Sequence, residues 1–399
     1  MKLKGSKRMK LRMLAVAIST TSLMPALAGA DIYDARAMAR GGTGMTMGEY
    51  NQAIYNPALI NRFDENDDFS LGLNVGVLAS DKDSMVEGLD DFGDQVEDLE
   101  DNAPPAGPQR DQAVDSAEQE LQALSKSQVQ LDAGGAIMVG LPNHKLPAAF
   151  VARAKASAGV GITYVDTDRQ VLEDIADGLA TEDDLDSTAD ASLVWLHEYG
   201  LMGGHQFDIQ GQAIDAGATL KLQTVELIHY SETASAFEAD DMTDSDNTES
   251  HTHLNLDLGA LTRLGDKQQY TVAATVENLI PKTFSGPSDS EYKMAPVITT
   301  AVGFQHNDWL KLEANLDLTK RNGYALLEDT QFLRAGAEFS AGRHFHFRAG
   351  YRTDIKSNVS DLLTAGIGIT PFDRFNLDLS AATGDGDTLG VALQLGFKI

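Results

Sequence analysis

Leu310-Lys311-Leu312-Glu313-Ala314-Asn315-Leu316-Asp317-Leu318 alternates between apolar and polar side chains without a break. A β-strand turns successive side chains to opposite faces, so this stretch has one apolar face and one charged face. The same period of two runs on towards the C-terminus. Leu333, Ala335, Ala337, Phe339 and Ala341 alternate with Arg334, Gly336, Glu338 and Ser340. Phe345, Phe347, Ala349 and Tyr351 alternate with His346, Arg348, Gly350 and Arg352. Leu363, Ala365, Ile367 and Ile369 follow. Phe375, Leu377, Leu379 and Ala381 come after Pro371, and Leu389, Val391, Leu393, Leu395, Phe397 and Ile399 close the chain. Each run has roughly 9–12 residues, which matches the length of a tilted strand that crosses a bilayer. Strands of soluble proteins are usually about five or six residues long.

Further upstream the alternation is weaker but recurs at 69–79, 132–141, 147–166, 191–202, 211–231, 251–264, 269–279 and 295–306. These eight runs and the six C-terminal ones predict an all-β fold of about 14 strands, an even number, as a closed antiparallel transmembrane barrel requires when both ends face the periplasm. Alternation by itself also suits a two-sheet sandwich. Strand length and the termination of the chain on a strand favour the barrel. So does the need to pair every backbone N–H and C=O in lipid, which only a closed sheet of strands meets. Two segments break the rhythm. Residues 81–127 are acidic and helix-like, divided by Pro104, Pro105 and Pro108, with an amphipathic helix expected over 112–125 through Val114, Ala117, Leu121 and Leu124. Residues 170–185 predict a second short helix. Both fall between strands, where such barrels carry external loops.

The N-terminus predicts export. Lys2, Lys4, Lys7, Arg8, Lys10 and Arg12 precede a mostly apolar stretch, and Ala28-Gly29-Ala30 has the small-x-small pattern of a cleavage site. The expected division is a signal peptide at 1–30, a plug segment at 31–66 and the barrel at 67–399. Loss of those six cations takes the net charge from −29 to −35. Such a surface repels nucleic acid, which excludes it as a partner. The chain has no cysteine, which excludes disulfides, thiol catalysis and zinc–thiolate sites. No apolar run long enough for a spanning helix follows Ala30. The location expected is the outer membrane of a Gram-negative bacterium, with lipid, lipopolysaccharide and the barrel-insertion machinery as partners.

Ala35-Arg36-Ala37-Met38-Ala39-Arg40-Gly41-Gly42-Thr43-Gly44 and Tyr55-Asn56-Pro57-Ala58 resemble the N-terminal signature of the FadL-like outer-membrane barrels, the long-chain fatty acid transporter superfamily. Asn255 to Ala260 and Val276 to Pro281 are similar to later parts of it. The whole chain resembles the exported barrel family named for the plasmid conjugal-transfer TraF proteins. The resemblance implies a fourteen-stranded barrel with an N-terminal plug. It also implies passive uptake or binding of a small hydrophobic ligand, or else a structural role in conjugal transfer. Arg36, Gly41, Gly42, Gly44, Asn56, Pro57 and Ala58 are then the plug and gating candidates. The residues agree: glycine permits backbone conformations closed to others, and Asn-Pro favours a turn. An ordinary N-terminal loop fits them as well. Leu393, Leu395 and Phe397 resemble the C-terminal signal read by insertion machinery, with Lys398-Ile399 in place of a final aromatic. The thioredoxin-like proteins that share the TraF name use a CxxC pair, which this chain lacks.

No catalytic set stands out, so no enzyme activity, cofactor or metal is expected. Gly44 is not followed by the Lys-Ser/Thr of a P-loop, and no serine sits in GxSxG. His251 and His253 share a strand face, as do His344 and His346, and without a matched carboxylate both pairs read as polar lumen or loop residues. His205 reads as a turn residue. The acidic runs at 81–101 and 240–249 lack the central glycine and terminal glutamate of an EF-hand loop and read as solvated external loops.

Overall fold

The computed structural model describes residues 33–63, 67–143, 145–233, 236–237 and 241–399. The expected signal peptide and its cleavage after Ala30 lie outside the described residues. Fourteen strands form one closed antiparallel barrel. They are β1 (Ser70–Asp81), β2 (Gln128–Leu141), β3 (Ala148–Thr163), β4 (Thr188–Ile209), β5 (Gln212–Thr233), β6 (Thr248–Leu264), β7 (Tyr270–Glu277), β10 (Val297–His306), β11 (Leu310–Asp317), β12 (Phe332–Ala341), β13 (Phe345–Asp354), β14 (Leu362–Ile369), β15 (Phe375–Gly384) and β16 (Thr388–Lys398). Each pairs with its neighbour in sequence, and β1 pairs with β16 from Ser70–Lys398 to Ala79–Leu389, sealing the ring. The two remaining strands, β8 (Lys282–Ser285) and β9 (Glu291–Met294), form a separate hairpin between β7 and β10.

The opening stretch decides which face is inside. Leu312 and Leu316 are 40% and 37% exposed, whereas Glu313 and Asn315 are 3% exposed and Asp317 is fully buried. A soluble sandwich would bury the leucines. Here the polar row points into the barrel and the apolar row forms its outer wall, the arrangement a bilayer requires. Leu201, Leu254, Leu363 and Leu389 stand on the same outer surface. Near the ends of the strands joined by short turns, the rings of Tyr270 and Phe304, Trp309 and Phe339, and Phe375 and Phe397 meet in pairs. They form part of an aromatic girdle at one membrane interface.

The short turns (142–147, 210–211, 265–269, 307–309, 342–344 and 370–374) share one end with the start of β1 and the end of β16. This is the periplasmic end. The long connections rise from the other end. There α2 (Met85–Asn102), α3 (Pro108–Leu124) and α4 (Asp168–Ala176) pack into a small helical cap around Leu89, Phe92, Val96, Leu99, Val114, Leu121, Leu172 and Ile175. The acidic segment is thus helical over most of its length. Its apolar residues recur every three or four positions and bury one face, and the prolines fall at the break between the two helices. Asp81 at the top of β1 accepts the N–H groups of Met85 (2.6 Å) and Val86 (3.0 Å), which fixes where α2 starts.

Wall height varies. β4 and β5 have 22 residues each, while β7, β11 and β14 have eight. β4 runs past Met202 to Ile209 and turns tightly at Gln210-Gly211, both with positive φ, as a two-residue hairpin turn requires. His205 is therefore not the expected turn residue. It sits within β4 opposite Ala216, with its ring against Phe207. No described helix is long and apolar enough to cross a membrane.

Candidate functional site: the filled lumen

Residues 33–63 lie inside the barrel. The segment starts with α1 (Ala35–Ala39), whose first turn is capped by Asp34 accepting the N–H of Ala37 (2.8 Å). Gly41 and Gly42 follow with φ of +70° and +87°, the left-handed region that glycine adopts freely, and they reverse the chain after one and a half turns. Gly44 does not have a positive φ; it lies against the ring of Tyr55. Asn56 is fully buried. Its carboxamide accepts the N–H of Ala58 (3.0 Å) and donates to the carbonyl of Met45 (3.0 Å), so it joins two passes of the segment while Pro57 opens a 3-10 turn, Pro57–Asn61.

The inner wall holds this segment by charge and by contact. Glu313 on β11 accepts four consecutive backbone N–H groups. Gly44 (3.0 Å) and Met45 (2.7 Å) donate to Oε1, and Thr46 (3.3 Å) and Met47 (3.2 Å) donate to Oε2. Asp317 and Lys311 on the same polar face pair instead with the wall residues Arg334 and Glu338. Glu313 is thus the residue of the opening stretch that binds the N-terminal segment. Arg36 donates to Asp378 of β15 (2.8 Å), which also accepts Arg348 of β13 (2.7 Å). Glu338 of β12 takes Arg348 (2.6 Å) and Lys311 (3.2 Å), with Arg40 at 3.9 Å. Gly41 donates to Thr364 (2.9 Å). Where the segment touches the wall, the wall presents glycine. A Cβ on Gly217 would stand 2.1 Å from the carbonyl oxygen of Pro57, and one on Gly350 would stand 2.1 Å from the carbonyl carbon of Arg40. Of the sequence candidates, Arg36, Gly41, Gly42, Gly44, Asn56, Pro57 and Ala58 thus come together in one body. Leu393, Leu395 and Phe397 are remote from it. They stand on the outward face of β16, with Leu395 44% exposed and Phe397 against Phe375.

A second ion cluster lies across β3 to β7. Lys221 contacts Glu198 (2.8 Å) and Asp257 (2.9 Å), Arg153 contacts Glu198, and Glu277 gathers Arg153 (3.3 Å), Lys155 (3.6 Å) and Arg321 (3.0 Å). Arg321 arrives from the external loop 318–331, which folds back over the mouth. Its Tyr324 packs with Phe284 and Met294 of the β8–β9 hairpin against Val225 and Leu227 of β5, and Leu326 and Leu327 lie over Gly159 of β3, two strands further along the wall. Below this roof is a cavity of about 190 Å³. Leu78, Val194, Leu196, Met294, Phe332 and Leu362 supply apolar lining, and Asp132, Ser157, Lys155, Glu277 and Arg352 supply polar lining. A smaller space of about 40 Å³ beside the N-terminal segment shares Glu277 and Arg321 with it.

His251 and His253 share a face, as expected, and close on the ring of Phe284. His344 bonds the carbonyl of Thr370 (2.8 Å), and His346 bonds Ser340 (3.0 Å). No group of three His, Cys, Asp or Glu with metal-binding geometry occurs among the described residues. The sequence did not single out Glu313, Glu338 or Asp378. Their signal was present, since each is an acid on the inward face of an alternating run, but a solvated face gives the same pattern.

A family match described as "F plasmid transfer operon, TraF, protein" covers residues 53–317. The chain belongs to this family. The TraF match begins within the N-terminal segment and ends with β11, so it takes in both Asn56-Pro57-Ala58 and Glu313. None of the curated proteins matches the chain. Among solved structures, the P. putida toluene transporter TodX is similar, with a TM-score of 0.52 at 11% identity over 92% of this chain and 99% of TodX. A TodX variant described as a monoaromatic hydrocarbon channel has a TM-score of 0.51 at 12% identity, covering 92% and 98%. A FadL homologue from Pseudomonas aeruginosa has a TM-score of 0.50 at 11% identity, covering 93% and 99%. At these identities the likeness is one of fold. This TraF-family protein is a fourteen-stranded outer-membrane barrel that shares its fold with TodX and the FadL homologue.

Proposed function

We propose that this barrel takes up or binds small hydrophobic molecules passively. The observation that carries the reading is the roofed cavity of about 190 Å³, set above a lumen filled by residues 33–63. A cavity of roughly 150 Å³ accommodates benzene, so the space suits a solute of one ring or a short chain. TodX, which shares the fold, is a toluene transporter. In this reading the N-terminal segment is a plug, with Arg36, Gly41, Gly42, Gly44, Asn56, Pro57 and Ala58 as the residues whose anchorage sets the gate. The chain is exported and cleaved after Ala30, and Leu393, Leu395 and Phe397 present the strand that the insertion machinery reads. The outer wall meets lipid and the external loops meet lipopolysaccharide. The test is toluene flux into vesicles reconstituted with the purified protein, compared with empty vesicles. Facilitated entry supports the reading, and equal rates together with no toluene binding in detergent overturn it.

The family match supports a second reading, a structural or accessory role in conjugal transfer. Deletion of the gene in a strain that mobilises a plasmid tests it. Unchanged transfer frequency removes the idea.

A further inference from the structure

We infer that the solute of the roofed cavity is a neutral amphiphile, a one-ring or short-chain molecule whose hydroxyl head donates a hydrogen bond to Asp132. This deepens the uptake reading and rests on it. Most buried carboxylates of the lumen are already occupied. Glu198, Asp257, Glu277, Asp317, Glu338 and Asp378 each contact a lysine or arginine. Asp34, Asp81 and Glu313 accept backbone N–H groups. Asp132 differs. It lines the cavity, is 7% exposed, and accepts only the hydroxyl of Ser157 (2.5 Å) and the carboxamide of Gln130 (2.9 Å). Among the described residues it forms no ion pair within 4.0 Å, and the charge of Arg352, which also lines the cavity, acts on it from beyond that distance. A carboxylate has about four acceptor sites, so Asp132 has capacity left for a donor in the cavity.

The other lining groups narrow the class. Lys155, Lys293, Arg321 and Arg352 also face the cavity, with Glu277 and Glu328 as further acids. Arg352 lies over the ring of Phe332, 4.5 Å from its centre. A cationic head at Asp132 would meet these four cations, and an anionic head would meet Asp132 itself. A neutral donor avoids both and gains a hydrogen bond to a charged acceptor. The apolar lining of Leu78, Val194, Leu196, Met294, Phe332 and Leu362 receives the body of the same molecule. A pure hydrocarbon fills that part but leaves the acceptor of Asp132 unused.

The experiment is calorimetric titration of the full barrel in detergent against matched empty micelles, with p-cresol, toluene, benzylamine and benzoate as probes. p-Cresol and toluene differ by one hydroxyl. The expected result is p-cresol binding about tenfold more tightly than toluene, the size of one hydrogen bond to a charged acceptor. Both charged probes should bind more weakly than p-cresol. Asp132→Asn should bring the p-cresol to toluene ratio close to one. Asp190→Asn is the control, because Asp190 is also buried and held by hydroxyls (Thr163, 2.5 Å; Thr188, 3.2 Å) but does not line the cavity. It should keep the tenfold ratio. Folding of each variant is read from the mobility difference between boiled and unboiled samples. Equal binding of toluene and p-cresol overturns the inference and leaves the uptake reading standing. So does tighter binding of benzoate or benzylamine, or a ratio that survives in Asp132→Asn. Absence of binding by every probe, with no toluene flux, overturns both.

Discussion

Glu313 holds the N-terminal segment by the geometry of a single carboxylate. Four N–H groups in sequence converge on two oxygens, and an amide cannot replace that arrangement. Gln has one accepting oxygen, and its NH2 would face two of the four donors. Glu313→Gln should therefore loosen residues 44–47 while leaving the wall intact, and planar-bilayer recording should show a larger conductance than wild type. Glu313→Ala leaves all four donors without an acceptor and should cost at least about 4 kcal/mol, at about 1–3 kcal/mol for each buried group left unsatisfied. Identical conductance in wild type and both variants would refute the anchoring role. Gly217 works by absence of a side chain. Gly217→Ala puts a methyl 2.1 Å from the Pro57 carbonyl oxygen. Overpacking of this kind costs about 1–3 kcal/mol. The temperature at which the unboiled gel form converts to the boiled form should fall accordingly.

The elements outside the membrane behave as separate small units. The cap of α2, α3 and α4 has its own apolar cluster and is tied to the barrel largely through the ends of β1 to β4. Replacing residues 85–124 with a short Gly-Ser turn should leave a barrel that still shows heat-dependent mobility. Loss of the folded form would show that the cap is needed for closure. Loop 318–331 is stapled differently. Its strand-like ends meet at Arg321–Thr330, and Asp329 receives the N–H of Gly323 (3.0 Å) and the ammonium of Lys320. Partial burial works to raise the Asp329 carboxyl, but the Lys320 and Gly323 bonds outweigh it and hold the group below the usual carboxylate range. The sign follows: this contribution is fully present above the ordinary aspartate value and is lost as pH falls through the lowered one. Backbone exchange in 318–331 should rise in that acid window, and Asp329→Asn should show the fast exchange at neutral pH.

At the scale of the whole molecule, strand number and order were legible because a period of two survives over eight or more residues, and all fourteen runs became strands. Shorter elements were not. β8 and β9 have four residues each, too few for a period to register, and they lie in the external connection 278–296. The identity of the N-terminal candidates was legible through their motif, but their partners were not. Glu313 is 269 positions from Gly44 and Asp378 is 342 from Arg36, and nothing local in the sequence pairs them. The charged face did not reveal its partner because a strand pattern records which side is polar and not what touches it. The closed wall has a direct test. The native protein should partition into detergent and migrate differently before and after boiling, and recovery as a freely dissolved periplasmic protein would contradict it.

The join between β1 and β16 constrains the order of assembly. Residues 33–63 precede β1, yet two of their attachments, Asp378 and Gln394, belong to the last two strands. An unfinished sheet lacks both. The final stretch of chain to arrive therefore shuts the wall and grips what is already inside, so a product truncated before Phe375 would have an open edge and an N-terminal segment without its full grip.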